Sequence, residues 1–397
     1  MSVRRFLSAL SWTTVVVVCV ILTARTIARA GAASRDPMAS ACDPIATSTC
    51  ARRPIDLVIC LDTSGSMEAL IDSARARLWD IVTSLSSARP IPELRVGLLT
   101  YGSPSRSTPS HGWIVRQTDL SSDLDSVYAK MMSFSTDGGD EFVGWVLHDA
   151  LIQMNWSRDP RALKLVFVAG NESADQAKDV FDFRREAALA RQKGIIVNAI
   201  YAGNRDAGVQ ERWAEVASCG GGNYTAIDMQ CGTVQIETPQ DKILIELNLK
   251  LNATYVPYGA EGHVGASRQA EQDVVARSAG PASAASRVAA KGTALYQNTG
   301  WDLVDAVERG EKKLEEMKES ELPPPMRGMP APQRAQYLAQ KRTERAAIQK
   351  QIAEVGSERE RILKDARAKA SGGKIALDDA MVGAIREQAK QQGFKFE

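Results

Sequence analysis

Four short runs of near-continuous aliphatic residues recur along the first two-thirds of the chain, separated by stretches with helical spacing of apolar positions. The runs are Ile55 to Leu61, Leu94 to Leu99, Leu163 to Val168 and Ile195 to Ile200. A strand buried on both faces needs apolar residues at nearly every position, so this pattern predicts a mostly parallel sheet covered by helices on both sides. A shorter, less apolar run at Trp113 to Val115 is expected at the sheet edge, and Asn223 to Ile227 as a last strand. Helices are expected near 67–87, 121–132, 142–154, 174–192 and 208–217. The fold class is therefore α/β: a doubly wound, Rossmann-like three-layer arrangement whose ligand sites belong in loops at the carboxyl ends of the strands.

The pattern changes beyond residue 240, where a mainly helical extension is expected. Gln240 to Asn252 reads as a helix, and the Ala-, Ser- and Gly-rich stretch 261–292 reads as a weakly packed one. Leu322-Pro323-Pro324-Pro325 and Met329-Pro330-Ala331-Pro332 bound a linker. Residues 333–370 then form one long charged helix with Ile348, Ile352, Val355 and Ile362 along a short seam. Such a seam serves either a coiled-coil partner, and hence an oligomer, or the chain's own domain. The expected division is 1–30, a leader; 31–53, a linker; 54–235, the α/β domain; 236–320, a mixed helical extension; and 321–397, the linker and long helix. No internal repeat is present.

The leader begins with Arg4 and Arg5, followed by uncharged residues from Phe6 to Ala24 and small residues around Ala30 and Ala33. This order reads as a secretory signal, or as an uncleaved membrane anchor, since the apolar segment is within spanning length. Either reading places the rest of the chain outside the cytoplasm, in a periplasmic or extracellular space. Cleavage would remove four arginines and no acid, taking the net charge from +1 to −3. An oxidising compartment also suits the cysteines. Cys42 and Cys50 form one candidate disulfide, Cys219 and Cys231 a second, and Cys60 within an aliphatic run is expected as a buried thiol.

Composition narrows the chemistry. With 49 basic and 48 acidic residues, the chain lacks the excess positive charge of a nucleic-acid binder. Its three histidines (His111, His148 and His263) are scattered, with neither HExxH nor paired CxxC, which argues against a zinc hydrolase or zinc finger. His148 lies on an expected helix and reads as a structural residue. Asn155, Asn171, Asn223 and Asn252 each satisfy the glycosylation pattern, which matters only in a glycosylating host.

The strongest chemical signal ends the first aliphatic run: Ile59-Cys60-Leu61-Asp62-Thr63-Ser64-Gly65-Ser66-Met67. One carboxylate and two hydroxyls at a spacing of two leave a strand and enter a helix. Hard oxygen donors of this kind suit Mg²⁺, Ca²⁺ or Mn²⁺. The competing reading is an Asp/Ser cap on the helix.

Asp62-x-Ser64-x-Ser66, with its preceding strand and following helix, resembles the metal-ion-dependent adhesion site of a von Willebrand factor type A domain. The resemblance covers roughly residues 54–230 and implies that Asp62, Ser64 and Ser66 hold a divalent cation. It also implies an open coordination position for an acidic side chain of a protein partner. Two further loops depart from the family pattern. Gly138-Gly139-Asp140-Glu141 replaces Gly-Gly-Thr, and Val168-Ala169-Gly170-Asn171-Glu172 replaces a strand ending in Thr-Asp-Gly. One acid is lost and another gained, so Asp140 is expected as a direct ligand, with Glu141, Asn171 and Glu172 around it or facing the partner. Two carboxylates on one cation leave it a poorer acceptor for a third from outside.

The resulting reading is an exported, non-catalytic module that binds a divalent cation and a protein partner. A metal-independent envelope scaffold with a degenerate site is the alternative. A phosphatase of the haloacid dehalogenase type is more remote, because Ser64 occupies the position of its second aspartate.

Overall fold

The computed structural model describes residues 52–227, 236–370 and 377–396. The strands are β1 (Arg53–Asp62), β2 (Ala88–Arg89), β3 (Pro92–Tyr101), β4 (Val115–Ser121), β5 (Leu163–Gly170), β6 (Ile195–Ala202), β7 (Gly221–Ile227) and β8 (Lys395–Phe396). The helices that accompany the main sheet are α1 (Glu68–Ser86), α2 (Leu124–Met132), α3 (Val143–Gln153), α4 (Phe183–Gln192), α5 (Arg205–Gln210) and α6 (Trp213–Gly220). The extension adds α7 (Pro239–Asn252), α8 (Gly262–Ser278), α9 (Pro281–Lys291), α10 (Leu303–Glu308), α11 (Ala331–Ala370) and α12 (Leu377–Gln391).

Six strands form one sheet in the order β4-β3-β1-β5-β6-β7. All neighbours are parallel except β3 and β4. β1 shows why its sequence is aliphatic throughout. Ile55, Leu57, Ile59 and Leu61 point to one face, among Ile71, Leu78 and Trp79 of α1 and Val127 and Tyr128 of α2. Val58 and Cys60 point to the other, among Val146 of α3, Phe183 of α4 and Trp213 of α6. The period of two serves two cores at once. Cys60 is fully buried, and burial pushes its thiol pKa well up. Asp56 is a buried acid near the start of β1: it accepts two bonds from the Arg95 guanidinium, at 2.9 and 2.8 Å, and one from Ser157 N at 2.6 Å.

Register aligns the ends of three strands. Asp62 of β1 pairs with Tyr101 of β3, and Leu61 with Ala169 of β5. The loops after β1, β3 and β5 therefore leave the sheet together.

Several elements differ from expectation for identifiable reasons. The edge strand begins at Val115 rather than ending there, after Trp113 takes a left-handed turn (φ 58°). The helix expected over 174–192 starts only at Phe183, capped by Asp182 accepting from Arg184 N. The preceding turn carries Ala177 at φ 52°, and the backbone at Phe181 lies so close to Gly144 that a Cβ there would be 1.9 Å from a carbonyl oxygen. The helix expected over 208–217 breaks at Arg212 (φ 70°), and that over 261–292 breaks at Gly280 (φ 114°), with Pro281 opening α9. A proline at the first helical position needs no amide hydrogen there, and glycine tolerates the turn before it.

Stretch 261–292 is not weakly packed. α9 is buried on nearly every side because its alanines and serines let α1, α7 and α8 approach closely. The Pro-bounded stretch expected as a linker is likewise packed, with Leu322 and Met326 buried beside Val256, Leu303 and Leu338. The seam of α11 lies on the chain's own α7 and α9: Ile352 is buried against Leu244, Leu247 and Val288, with Ile348 and Val355 at its margin.

The chain then returns to the α/β sheet. Met381, Ile385 and Ala389 of α12 enter the core beneath α1. Asn198 of β6 and Gln388 exchange two side-chain bonds of 3.1 and 2.7 Å. β8 pairs antiparallel with β2. No periodicity in 377–396 marks it as part of the sheet domain. Among the described residues no helix is long and apolar enough to cross a membrane. The expected leader lies outside them, as do Cys42, Cys50 and Cys231. Cys219 is half-buried on α6 and has no disulfide partner among the described residues.

Candidate metal centre

β1 delivers Asp62 to the end of the sheet, where its Oδ1 accepts from Ser64 N at 2.7 Å. This turn bends the chain off the strand before the helix begins. Thr63 clamps the bend by donating from both its amide and Oγ1 to Tyr101 O, each at 2.9 Å. The cap position of α1 is Met67, and no side chain caps it. Asp62, Ser64 and Ser66 are therefore not spent on helix capping, which weakens the competing reading of this motif. Ser64 is buried, Ser66 is exposed, and their hydroxyls lie 3.3 Å apart.

The loop before α3 brings up a second carboxylate, and it is Glu141. This residue is only 2% exposed, and neither of its carboxylate oxygens has a hydrogen-bond partner. Its backbone amide donates to Gln176 Oε1 at 2.8 Å, which fixes the loop. Asp62 is also buried, and its Oδ2 has no partner. Three buried carboxylate oxygens thus lack donors at one place in the fold. Each such oxygen costs the full desolvation of the group. Burial raises the pKa of both acids, and Glu141 beside it raises Asp62 further.

Gly102, just beyond β3, keeps the space between them open. It sits at φ 78°, and a Cβ there would be 2.8 Å from Asp62 Oδ1 and 3.4 Å from Glu141 Cγ. Any side chain would fill the cradle.

Asp140, expected as the direct ligand, is solvent-exposed at the rim. Glu141, expected only nearby, points inward with Asp62. The third loop places Asn171 at the site: its Nδ2 donates to Ser66 Oγ at 2.9 Å, while its Oδ1 is buried without a partner. Glu172 is exposed, and its carboxylate accepts from Gln176 Nε2 at 2.6 Å. One glutamine side chain therefore joins the second and third loops. Gly170, where the family pattern has an aspartate, has no room for a side chain. A Cβ there would be 2.6 Å from Tyr101 Oη and 3.0 Å from the Trp213 ring. The Tyr101 hydroxyl itself donates to Ala169 O at 2.8 Å.

This donor set fits a hard divalent cation. Two carboxylates, two hydroxyls and an amide oxygen are oxygen ligands, and three carboxylate oxygens and the amide oxygen already lack partners. Among the described residues no group of three or more His, Cys, Asp or Glu that could hold a metal assembles, and this site has two acids with hydroxyl and amide oxygens beside them. Sequence reasoning missed Gly102, Gln176 and Tyr101, which act through loop geometry rather than through a motif.

A mostly parallel α/β sandwich whose first strand ends in Asp-x-Ser-x-Ser, with two further loops converging on it, defines a von Willebrand factor type A domain. The family model of that domain, described as von Willebrand factor type A domain, matches residues 56–234, and this part of the chain belongs to the family. No curated protein sequence matches the chain significantly. Among solved structures, the chain is similar to proximal thread matrix protein 1 from the mussel byssus with a zinc-occupied MIDAS motif. That match has 16% identity and a TM-score of 0.35 over 45% of this chain and 43% of that one. The chain thus spans under half the length of the mussel protein. It is also similar to the SpRpn10 VWA domain, at 15% identity and TM-score 0.33, covering 44% of this chain and 88% of that one. An aerotolerance-related membrane protein from Bacteroides fragilis matches at 16% identity and TM-score 0.30, covering 44% and 92%.

Proposed function

We propose that this chain is an exported, non-catalytic interaction module that binds a divalent cation, Mg²⁺, Mn²⁺ or Ca²⁺, and through that site a protein partner. Asp62, Ser64, Ser66 and Glu141 hold the cation, with Asn171 beside them. Asp140 and Glu172 belong to the exposed rim that meets the partner. The observation that carries this reading is Glu141, a buried acid with both oxygens unpaired, beside Asp62 with one more. A divalent cation supplies the positive charge that these oxygens lack.

With two carboxylates on the ion, little net charge is left to attract an acidic side chain from outside. The partner therefore gains more from neutral or basic groups that meet Asp140 and Glu172 than from an acid at the ion.

Thermal unfolding of the full chain, with and without each cation, tests the reading. A ligand bound only by the folded state stabilises it by about 2.7 kcal/mol at a hundredfold excess over its Kd. The wild type should show a cation-dependent rise in Tm, and Asp62→Ala none. Equal responses from the two proteins would remove Asp62 from the site.

A further inference from the structure

The extension contains a second polar centre, remote in sequence from the Asp62 site, in which buried charges meet half-buried amides. Lys291, at the end of α9, is 0% exposed. Its Nζ lies 2.8 Å from Asn248 Oδ1 and 2.7 Å from Asn252 Oδ1, two amides one turn apart on α7. Asp273 of α8 bridges all three side chains. Its Oδ2 accepts from Asn248 Nδ2 at 2.8 Å, from Asn252 Nδ2 at 2.7 Å and from Lys291 Nζ at 2.9 Å. Arg287 Nε holds the other oxygen of Asp273 at 2.6 Å, and its NH1 reaches Asp125 of the sheet domain at 2.6 Å. A primary amine, two primary amides and a carboxylate touching both nitrogen types meet at one place, with the amine and carboxylate buried and the amides half-buried.

We propose that Lys291 forms an intramolecular isopeptide bond with Asn248 or Asn252, joining α9 to α7 covalently, with Asp273 moving the proton between the two nitrogens. A carbonyl bond is about 1.2 Å long, so Nζ is within about 4 Å of each amide carbon, and reaching the near-attack separation of about 3–3.5 Å requires it to turn from the Oδ1 hydrogen bond toward Cγ. Burial pushes the pKa of Lys291 down to about 8, so the amine is reached more easily than in an exposed lysine. The ammonium first gives its proton to solvent. The Nζ lone pair then attacks Cγ of the asparagine and a C–N bond forms. Asp273 accepts a proton from Nζ and passes it to Nδ2, with which it is already hydrogen-bonded. The Cγ–Nδ2 bond breaks, ammonia leaves, and the carboxylate is regenerated. No oxidant or second reactant is required.

Proximity carries this assignment: the fold fixes nucleophile, electrophile and proton carrier within hydrogen-bond reach, which replaces the high concentration a bimolecular aminolysis would need. Peptide mapping of the denatured full-length protein by mass spectrometry tests it. In the cross-linked chain trypsin no longer cuts after Lys291, so segment 288–309 appears joined to 243–250 through Asn248 or to 251–268 through Asn252. The joined mass is lower than the sum of its parts by one ammonia. Lys291→Arg should yield only linear peptides, and Asp273→Ala should lose the joined species. A wild-type digest containing segment 288–291 with a free lysine and both asparagine peptides unmodified overturns the proposal. That outcome would mark the cluster as an ionic network only. Because the map is read on wild-type protein, the proposal stands or falls even where a variant fails to fold.

Discussion

Arg345→Met lowers the stability of the protein by about 3–5 kcal/mol, the cost of leaving a buried acid without its counterion. Arg345 reaches inward from α11 and is the central donor between that helix and the rest of the extension. It bonds Asp302 Oδ2 and Asp305 Oδ1, both at 2.7 Å, and Thr254 O at 2.9 Å. Both acids are buried. Burial and the neighbouring Asp302 hold the pKa of Asp305 up at about 7 even with the guanidinium present. A folded-state pKa raised above its unfolded value means stability that is present at low pH and lost as the pH rises through the folded pKa. Without Arg345, Asp305 must rise further. The deficit of the variant should therefore widen as the pH increases through about 7 and narrow below it, where Asp305 takes up a proton. Denaturant unfolding at several pH values checks this. A deficit independent of pH would place the cost in lost packing of the side chain rather than in the acids.

Glu141→Gln should stabilise the cation-free protein at neutral pH while abolishing its response to cations. In the cation-free state two buried acids share one cradle, and burial raises both pKa values. The sign follows as for Asp305: the cation-free protein is most stable where these acids are protonated. It loses stability as the pH climbs out of the ordinary carboxylate range through their raised values. The amide carries no charge to desolvate and can donate to Asp62, whose Oδ2 otherwise has no donor. One substitution thus acts in opposite directions on stability and on binding, which a general structural defect cannot do. Paired thermal melts, with chelator and with Mn²⁺, measure both. A Glu141→Gln protein less stable than wild type in chelator would mean that Glu141 serves the fold.

The sheet was legible in the sequence because its strands are buried on both faces. Ile55 to Leu61 cannot alternate when each side chain enters one of two cores, and that continuity is visible in one dimension. The position of Asp62 at a strand end followed directly. The second carboxylate was harder, because Asp140 and Glu141 are adjacent and spacing cannot say which turns inward. That choice is made by the bond from the Glu141 amide to Gln176, by the open space at Gly102 and by the route into α3. Gly170 was legible as a missing acid but not as a consequence of crowding by Tyr101 and Trp213. The extension was misjudged at α9, where small residues suggest weak packing although they permit close approach of the neighbouring helices. α12 was invisible for a different reason: its partners, Asn198 and the core beneath α1, are nearly two hundred residues or more away, and no local pattern encodes a pairing of that range.

The central claim is that Asp62 and Glu141 hold a divalent cation, and isothermal titration calorimetry on the full chain tests it most directly. Wild type and Asp140→Asn should both bind Mg²⁺, Mn²⁺ or Ca²⁺ at one site per chain, and Glu141→Gln should bind none. Binding that survives Glu141→Gln but is lost in Asp140→Asn, or silence from the wild type with all three ions, would contradict it.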